Sequence, residues 1–413
     1  MTPEFLLFII LLIVIAEFCF DWYVEYLNTT LWSNELPKQL TNFYDADKYK
    51  QSQSYEKENH SISKISSALS LILSLVILYI GGFGYIDTYL GGFVENPNLR
   101  SLLFFAVLGI ASSIISLPFS LYSTFVIEAK YGFNKYTIKT FFLDKLKGTL
   151  LAILIGAPLL WLISYLYQQM GSNFWWITWL VVSLFGIIMA MFYTSWILPF
   201  FNKLEPLQEG ELKTEIENYL QKVGFNANGV YVMDGSKRST KANAFFSGLG
   251  PKKKIVLYDT LIQKLSTDEI IAVLAHEVGH YKKKHILKSL LISNIQTAAI
   301  FYLFSLFSYS PTVYNALGAQ ESSLHIDLIV FGILLGPINF ALGYFSNAFS
   351  RKNEFEADAF ACNTYKPEAL ETGLIKISID ALSNLNPHPL YVKIHYSHPP
   401  LLERIKAMKP SKH

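Results

Sequence analysis

The chain predicts an all-α polytopic membrane protein with one water-facing insertion that carries a little β structure. Three observations lead there. Hydrophobic residues are 52% of its 413 and charged residues only 16%, whereas soluble chains carry about 25% charged residues. Mean hydropathy is +0.30. Apolar runs recur along the chain at lengths near the roughly 20 residues that a membrane-spanning helix needs. A net charge of +2 supplies no basic field, and no basic and aromatic interleaving occurs, so a nucleic-acid partner is excluded. Cys19 and Cys362 share no C-x-x-C spacing and read as small buried hydrophobes.

Seven such runs can be traced, at 5 to 25, 66 to 86, 101 to 127, 148 to 168, 174 to 198, 287 to 309 and 324 to 348. The first has neither a basic leader nor a small-residue cleavage site, so it reads as a retained span. Glu17 and Asp21 in the first run, Asn294 and Gln296 in the sixth, and Asn339 and Asn347 in the seventh are costly facing lipid. They predict a bundle interior or a water-filled cavity, although Asp21 also suits an interfacial position. Two domains follow: a membrane domain of five helices over residues 1–199, and a second over 200–413 that holds the insertion and the last two spans.

Lysines set the orientation. Lys38, Lys48, Lys50, Lys57 and Lys64 lie in one loop and Lys130, Lys135, Lys139, Lys145 and Lys147 in another, while the alternate loops hold only Arg100. By the positive-inside rule the N-terminus is outside, and the fifth loop and everything after the seventh span are cytoplasmic. The insertion, about 200 to 286, reads as an amphipathic helix at 211 to 223, short strands at Gly229–Met233 and Lys254–Tyr258, and an unassigned Asn243–Ser247 segment between them. A sheet there could offer an edge to an extended peptide or could be purely structural. Lys282, Lys283 and Lys284 read as a membrane-flanking anchor, or could meet an acidic C-terminus.

The insertion ends in His276-Glu-Val-Gly-His280. Ser266 or Thr267 as N-cap and Asp268 and Glu269 in the first turn predict a helix here. On it His276 and His280, four apart, share one face and can present two nitrogens to one metal. Glu277, one step round, can act as base on a water in the open fourth position. A third ligand is offered by Arg351-Lys-Asn-Glu354-Phe-Glu-Ala-Asp358. Glu354 and Asp358 share a helical face and suit a ligand plus a partner for a histidine's other nitrogen, while Glu356 points elsewhere. Alone, each segment could be surface histidines or a solvated acidic face; the predicted orientation puts both on one side of the membrane.

These two motifs, together with Gly235-Ser-Lys-Arg-Ser239 before Asn243-Ala244, the Lys130-Tyr-Gly-Phe-Asn134 loop and Tyr396-Ser-His398-Pro-Pro-Leu-Leu-Glu-Arg404, resemble the type I CAAX prenyl endopeptidases over nearly the whole chain. The resemblance implies an integral-membrane zinc metalloprotease whose seven spans form a helical barrel around a water-filled chamber. It implies one zinc ion per chain on His276, His280 and Glu354, with Glu277 as base and Asp358 as a supporting group or proton donor. Asn243 and Ala244 would form a substrate-binding edge, and His398 and Arg404 would approach the oxyanion and the Glu354 region. A peptide or protein substrate, prenylated at a C-terminal CAAX, and membrane lipid are the implied partners. The active site would face the cytoplasm from a bacterial inner membrane or the endoplasmic reticulum. Lys241-Ala242 and the stretch 384 to 393 depart from the family pattern, which leaves substrate preference open. The alternatives are a heat-shock metalloprotease acting on misfolded proteins, a group with fewer spans, and a transporter or channel with a structural zinc, against which an intact Glu277 argues.

Overall fold

The computed structural model describes every residue except 34, 37, 39, 40, 42 to 44, 249 to 252 and 410 to 413, so the last four residues of the expected cytoplasmic tail lie outside it. Among the described residues, five helical stretches are long and apolar enough to cross a bilayer: Pro3–Thr29, Ala46–Tyr79, Pro97–Lys130, Ile138–Phe200 and His285–Phe307. A sixth is added if Leu324–Leu334 and Gly336–Thr364, bent by 59° between them, make one span. In the five, only 6% to 11% of the most apolar window is buried against protein. Apolar helices so poorly covered need lipid, which separates them from the core helices of a soluble domain.

Two of the predicted runs, 148 to 168 and 174 to 198, fall within the single stretch Ile138–Phe200. Its 63 residues would extend roughly 95 Å as a straight helix, about three times the hydrocarbon thickness. The chain turns at the short 3₁₀ segment Gly171–Asn173. Tyr167 and Phe174 then meet edge to face across the turn, ring centroids 5.3 Å apart.

Several polar groups of the membrane helices are turned toward other helices. At the bend, a Cβ on Gly336 would overlap the Glu17 carboxylate, so the glycine is what lets Glu17 of the first helix reach this point. At one end of the bundle His325, fully buried, lies 2.7 Å from Asp87 through Nε2 and 2.9 Å from Ser101 through Nδ1. Asp87 also pairs with Arg100 at 3.2 Å. Three helices are tied by hydrogen bonds that lipid cannot replace.

The insertion folds as a four-stranded sheet of β1 (Leu204–Pro206), β2 (Val230–Met233), β3 (Ala244–Ser247) and β4 (Lys254–Tyr258), ordered β1-β2-β4-β3. β2 and β4 are parallel and the other pairs antiparallel. Successive strand residues alternate faces. Ile255 and Leu257 therefore join the core made by Ile216, Tyr219 and Leu220 of helix Glu211–Lys222 and by the motif helix, while Val256 packs on the opposite face with Leu198 and Met233. The segment left unassigned from sequence is β3, an edge strand pairing Ala244 with Leu257.

The motif helix, Thr267–Lys282, crosses the long helix Gly336–Thr364 at Gly279. A Cβ there would stand 3.0 Å from the Ala357 backbone and 3.2 Å from Phe360 Cβ. This glycine therefore sets how closely the two helices approach. Gly279→Val should push them apart at a cost of about 1–3 kcal/mol for an overpacked contact. The expected readouts are a lowered Tm and loss of bound metal in the purified protein; an unchanged Tm with full metal would show that the crossing tolerates a wider spacing.

Candidate active site

A capping box begins the motif helix. Ser266 N–H donates to Glu269 Oε2 at 2.9 Å and Glu269 N–H returns to Ser266 Oγ at 3.4 Å, which satisfies two of the orphan donors of the first turn. Ile270, Ile271, Leu274, Ala275 and Val278 are buried in the sheet core, so the histidine face is turned toward the long helix. At the other end of the crossing Asp268 accepts from Tyr365 Oη and Lys366 Nζ, each at 2.6 Å. The two helices are thus held at a second point besides the Gly279 crossing.

His276, His280 and Glu354 converge. Their nearest atoms are separated by 3.1 Å between the two Nε2 atoms, 3.4 Å from His276 Nε2 to Glu354 Oε2 and 3.3 Å from His280 Nε2 to Glu354 Oε1. Bonds of about 2.0–2.1 Å to a tetrahedral ion place ligand atoms roughly 3.3–3.4 Å apart, so this triangle is one face of such a site. Glu354 is 3% exposed, and its Oε2 has no hydrogen-bond partner, a state costly without a cation. Charge balance agrees. Glu277, Glu354 and Asp358 bring three negative charges when ionised and Arg404 one positive charge, and a divalent cation neutralises the remainder. The residues fit a divalent metal.

Asp358, one turn on from Glu354, accepts from His276 Nδ1 at 2.8 Å. That bond fixes the tautomer that turns the Nε2 lone pair into the triangle. Arg404 in turn holds Asp358 with one bidentate edge, Nε to Oδ2 at 2.8 Å and Nη2 to Oδ1 at 2.6 Å. Burial works against charge on His276, but its hydrogen bond to Asp358 and the Glu354 carboxylate beside its ring outweigh that and raise its pKa to about 9. Burial raises the Glu277 pKa, with the Glu354 charge acting in the same direction against His276 and His280. His398 Nε2 stands 3.4 Å from Glu354 Oε1. Desolvation by the surrounding walls lowers its pKa against the pull of Glu354, and Arg404 acts with the walls.

A cavity of about 570 Å³ opens on the triangle and is lined by Glu277, His398, Arg404, Asn243 and Ala244, among others. Every predicted site residue therefore meets in one place. Tyr258 N–H donates to Asn243 O at 3.0 Å. The alternation of an antiparallel pair then turns the backbone groups of Ala244 and Phe246 away from β4, toward the free edge.

Sequence reasoning gave no role to Arg351, although it begins the Glu354 motif. Its Nη1 donates to the carbonyls of Val392 at 3.0 Å and Tyr396 at 2.6 Å, which fastens the segment bearing His398 beside the long helix. The signal available was a charged residue one turn before a ligand. His285 also has no role in the sequence reading; it lies between His280 and Glu356, at 3.1 and 3.2 Å.

Two histidines and a glutamate that converge to suit a metal, a buried carboxylate beside them and a strand at the edge of the sheet, in a chain of membrane helices, point to a membrane metallopeptidase. The chain matches the sequence profile described as CAAX prenyl protease N-terminal, five membrane helices, over residues 25–203. It matches that of peptidase family M48 over residues 206–411. It is 36% identical to the CAAX prenyl protease 1 homolog of Oryza sativa, covering 97% of this chain and 96% of that one. With CAAX prenyl protease 1 of Saccharomyces cerevisiae the identity is 34%, covering 95% and 93%. The crystal structure of S. mikatae Ste24p is similar with a TM-score of 0.94 at 34% identity, covering 98% of this chain and 99% of that one. The chain belongs to the CAAX prenyl protease 1 group of peptidase family M48.

Since His276 binds its proton well above neutrality, metal and proton compete for it. Apparent metal affinity should rise roughly tenfold per pH unit from pH 6 toward 9, one proton being released per metal bound. Competition with a chelator at pH 6, 7 and 8 checks this, and an affinity flat with pH would contradict it.

Proposed function

We propose that this protein is a zinc endopeptidase that cleaves near the C-terminus of CAAX proteins, prenylated ones included, at a site facing the cytoplasm. The observation that carries the reading is the ligand triangle of 3.1 to 3.4 Å opening onto the cavity beside the β3 edge. His276, His280 and Glu354 hold the zinc. When bound, it supplies Lewis acidity toward the scissile carbonyl.

The other residues have distinct tasks. The substrate backbone adds to the outer edge of β3 at the outward-facing backbone of Ala244, with the Asn243 side chain beside it, in the manner of a further strand. Glu277 takes the proton from the attacking water and returns it to the leaving amine, a role that suits a buried carboxylate of raised pKa. His398, whose pKa desolvation lowers, donates to the carbonyl oxygen as charge develops there. Asp358 and Arg404 hold His276 in register. The relatives bear the name CAAX prenyl protease, which supports a C-terminal substrate over misfolded proteins in general. The intact base supports an enzyme over a transporter with a structural metal.

The topology belongs to the same reading. Counting Ile138–Phe200 as two spans and the bent pair as one gives seven, arranged around a water-filled chamber. The lysine asymmetry then puts the triangle in the cytoplasm, in the endoplasmic reticulum or a bacterial inner membrane according to host. Residues 1–199 form the membrane domain, and 200–413 carry the chemistry and the last two spans.

Three experiments test the proposal. Glu277→Gln should keep its zinc and lose peptidase activity by at least about a hundredfold, the low end for a general base, measured on a farnesylated CAAX peptide and its unmodified counterpart. His398→Ala should likewise keep zinc and lose rate. Near-parent cleavage by Glu277→Gln would remove the mechanism, and failure of the parent protein to cleave either peptide would remove the CAAX substrate. For topology, with Cys19 and Cys362 replaced, cysteine at Lys57 should label only from the cytoplasmic side and cysteine at Glu95 only from the opposite side. The reverse pattern would invert the orientation.

A further inference from the structure

The two metal-site histidines differ in what holds their second ring nitrogen. His276 has a carboxylate, Asp358. His280 has another histidine: its Nδ1 lies 3.1 Å from Nδ1 of His285, and His285 Nε2 lies 3.2 Å from Glu356 Oε2. The rings of His280 and His285 meet edge to face, centroids 5.1 Å apart at 76°. His285 is 3% exposed, so its ring has little freedom to turn elsewhere.

Only one arrangement of protons suits neutral rings here. His280 Nε2 belongs to the triangle and must offer a lone pair, so its proton is on Nδ1 and is donated to His285. His285 Nδ1 must then be bare, which leaves its proton on Nε2, facing Glu356. The chain Glu356, His285, His280 is the counterpart of Arg404, Asp358, His276, with direction set by the carboxylate at its end. The backbone is bent to build it. Lys284 adopts φ 59°, a left-handed conformation uncommon for a side-chain-bearing residue, and this brings the first residue of the membrane helix His285–Phe307 back over His280. Glu356 follows Glu354 by two residues, so the long helix supplies one ligand and, from another face, the anchor for a different ligand's support.

We propose that His285, held by Glu356, is a positioning residue that orients His280 and raises its basicity toward the metal. This rests on the reading of His280 as a ligand. Loss of such a hydrogen-bond partner typically costs about 10–100-fold in metal affinity or activity.

The test measures metal dissociation by chelator competition, the visible spectrum of the cobalt-substituted protein, and kcat and KM on a CAAX peptide, for His285→Ala, Glu356→Ala, Glu356→Gln and His280→Ala. His285→Ala should weaken zinc binding by about 10–100-fold and shift the cobalt bands. With metal saturating, kcat should fall while KM stays. Glu356→Ala should produce the same changes to a smaller degree, and Glu356→Gln, whose amide oxygen accepts the same bond, should restore them. Parent-like zinc dissociation and cobalt spectra in both His285→Ala and Glu356→Ala would overturn the proposal, leaving His285 as packing only. If His285→Ala does not fold, the contrast between Glu356→Ala and Glu356→Gln decides: equal spectra and affinities overturn it, and rescue by glutamine supports it. Parent-like zinc in His280→Ala would instead remove the ligand reading beneath it, a result distinct from failure of the His285 variants alone.

Discussion

The rest of the site depends on how closely two helices cross. With Gly279 set against Ala357, no side chain separates the backbones, and residues one turn away on each helix are brought within hydrogen-bonding range. His276 and Glu354 are those residues. A larger group at the crossing would widen every edge of the triangle, and a tetrahedral site tolerates only a few tenths of an ångström in its bonds. Placing Glu354, Asp358 and Arg404 at 3%, 2% and 9% exposure is costly in the absence of partners. The arrangement compensates by closing each valence: Arg404 on Asp358, Asp358 on His276, and the triangle left for a dication.

That same crossing explains which parts of the site were legible in the sequence. Periodicity is local, so the pairing of His276 with His280 and of Glu354 with Asp358 follows from positions four apart, and Ser266 with Glu269 announces the helix that carries the first pair. The membership of His398 and Arg404 was available only through resemblance, since nothing in the spacing of a residue near 400 says that it returns to a helix at 276. His285 shows the limit from the other side. It directly follows the lysine run, yet its partner Glu356 is 71 residues away, and what brings them together is the left-handed turn at Lys284, for which lysine gives no signal. In Asn243–Ser247 the run Ala, Phe, Phe, Ser does not alternate, and its strand character comes from pairing with β4, a tertiary cause.

In the membrane portion, composition located the apolar runs but could not say where helices end. Ile138–Phe200 runs with little interruption through two of them, because the break at Gly171–Asn173 spans only three residues. The seventh run is a bent pair. Its bend sits where Glu17 from the first helix meets Gly336. The expectation that Glu17 is not facing lipid thus has a physical counterpart, though the partner was unforeseeable.

The membrane helices are not a scaffold separable from the chemistry. The helix that carries Glu354, Glu356 and Asp358 is the continuation of the bent pair, running unbroken from Gly336 to Thr364, and the helix that starts at His285 leaves the motif helix after only two residues, Lys283 and Lys284. Both sides of the triangle are therefore joined rigidly to apolar helices whose surfaces need lipid. A tilt of either would be felt at Glu354 or at His285 within one or two turns, since a helix transmits displacement along its hydrogen-bonded length. A fragment cut from the insertion alone would keep the sheet, His276 and His280, but would lose Glu354 and with it the third edge of the site. Membrane insertion and completion of the metal centre are, on this geometry, a single structural requirement.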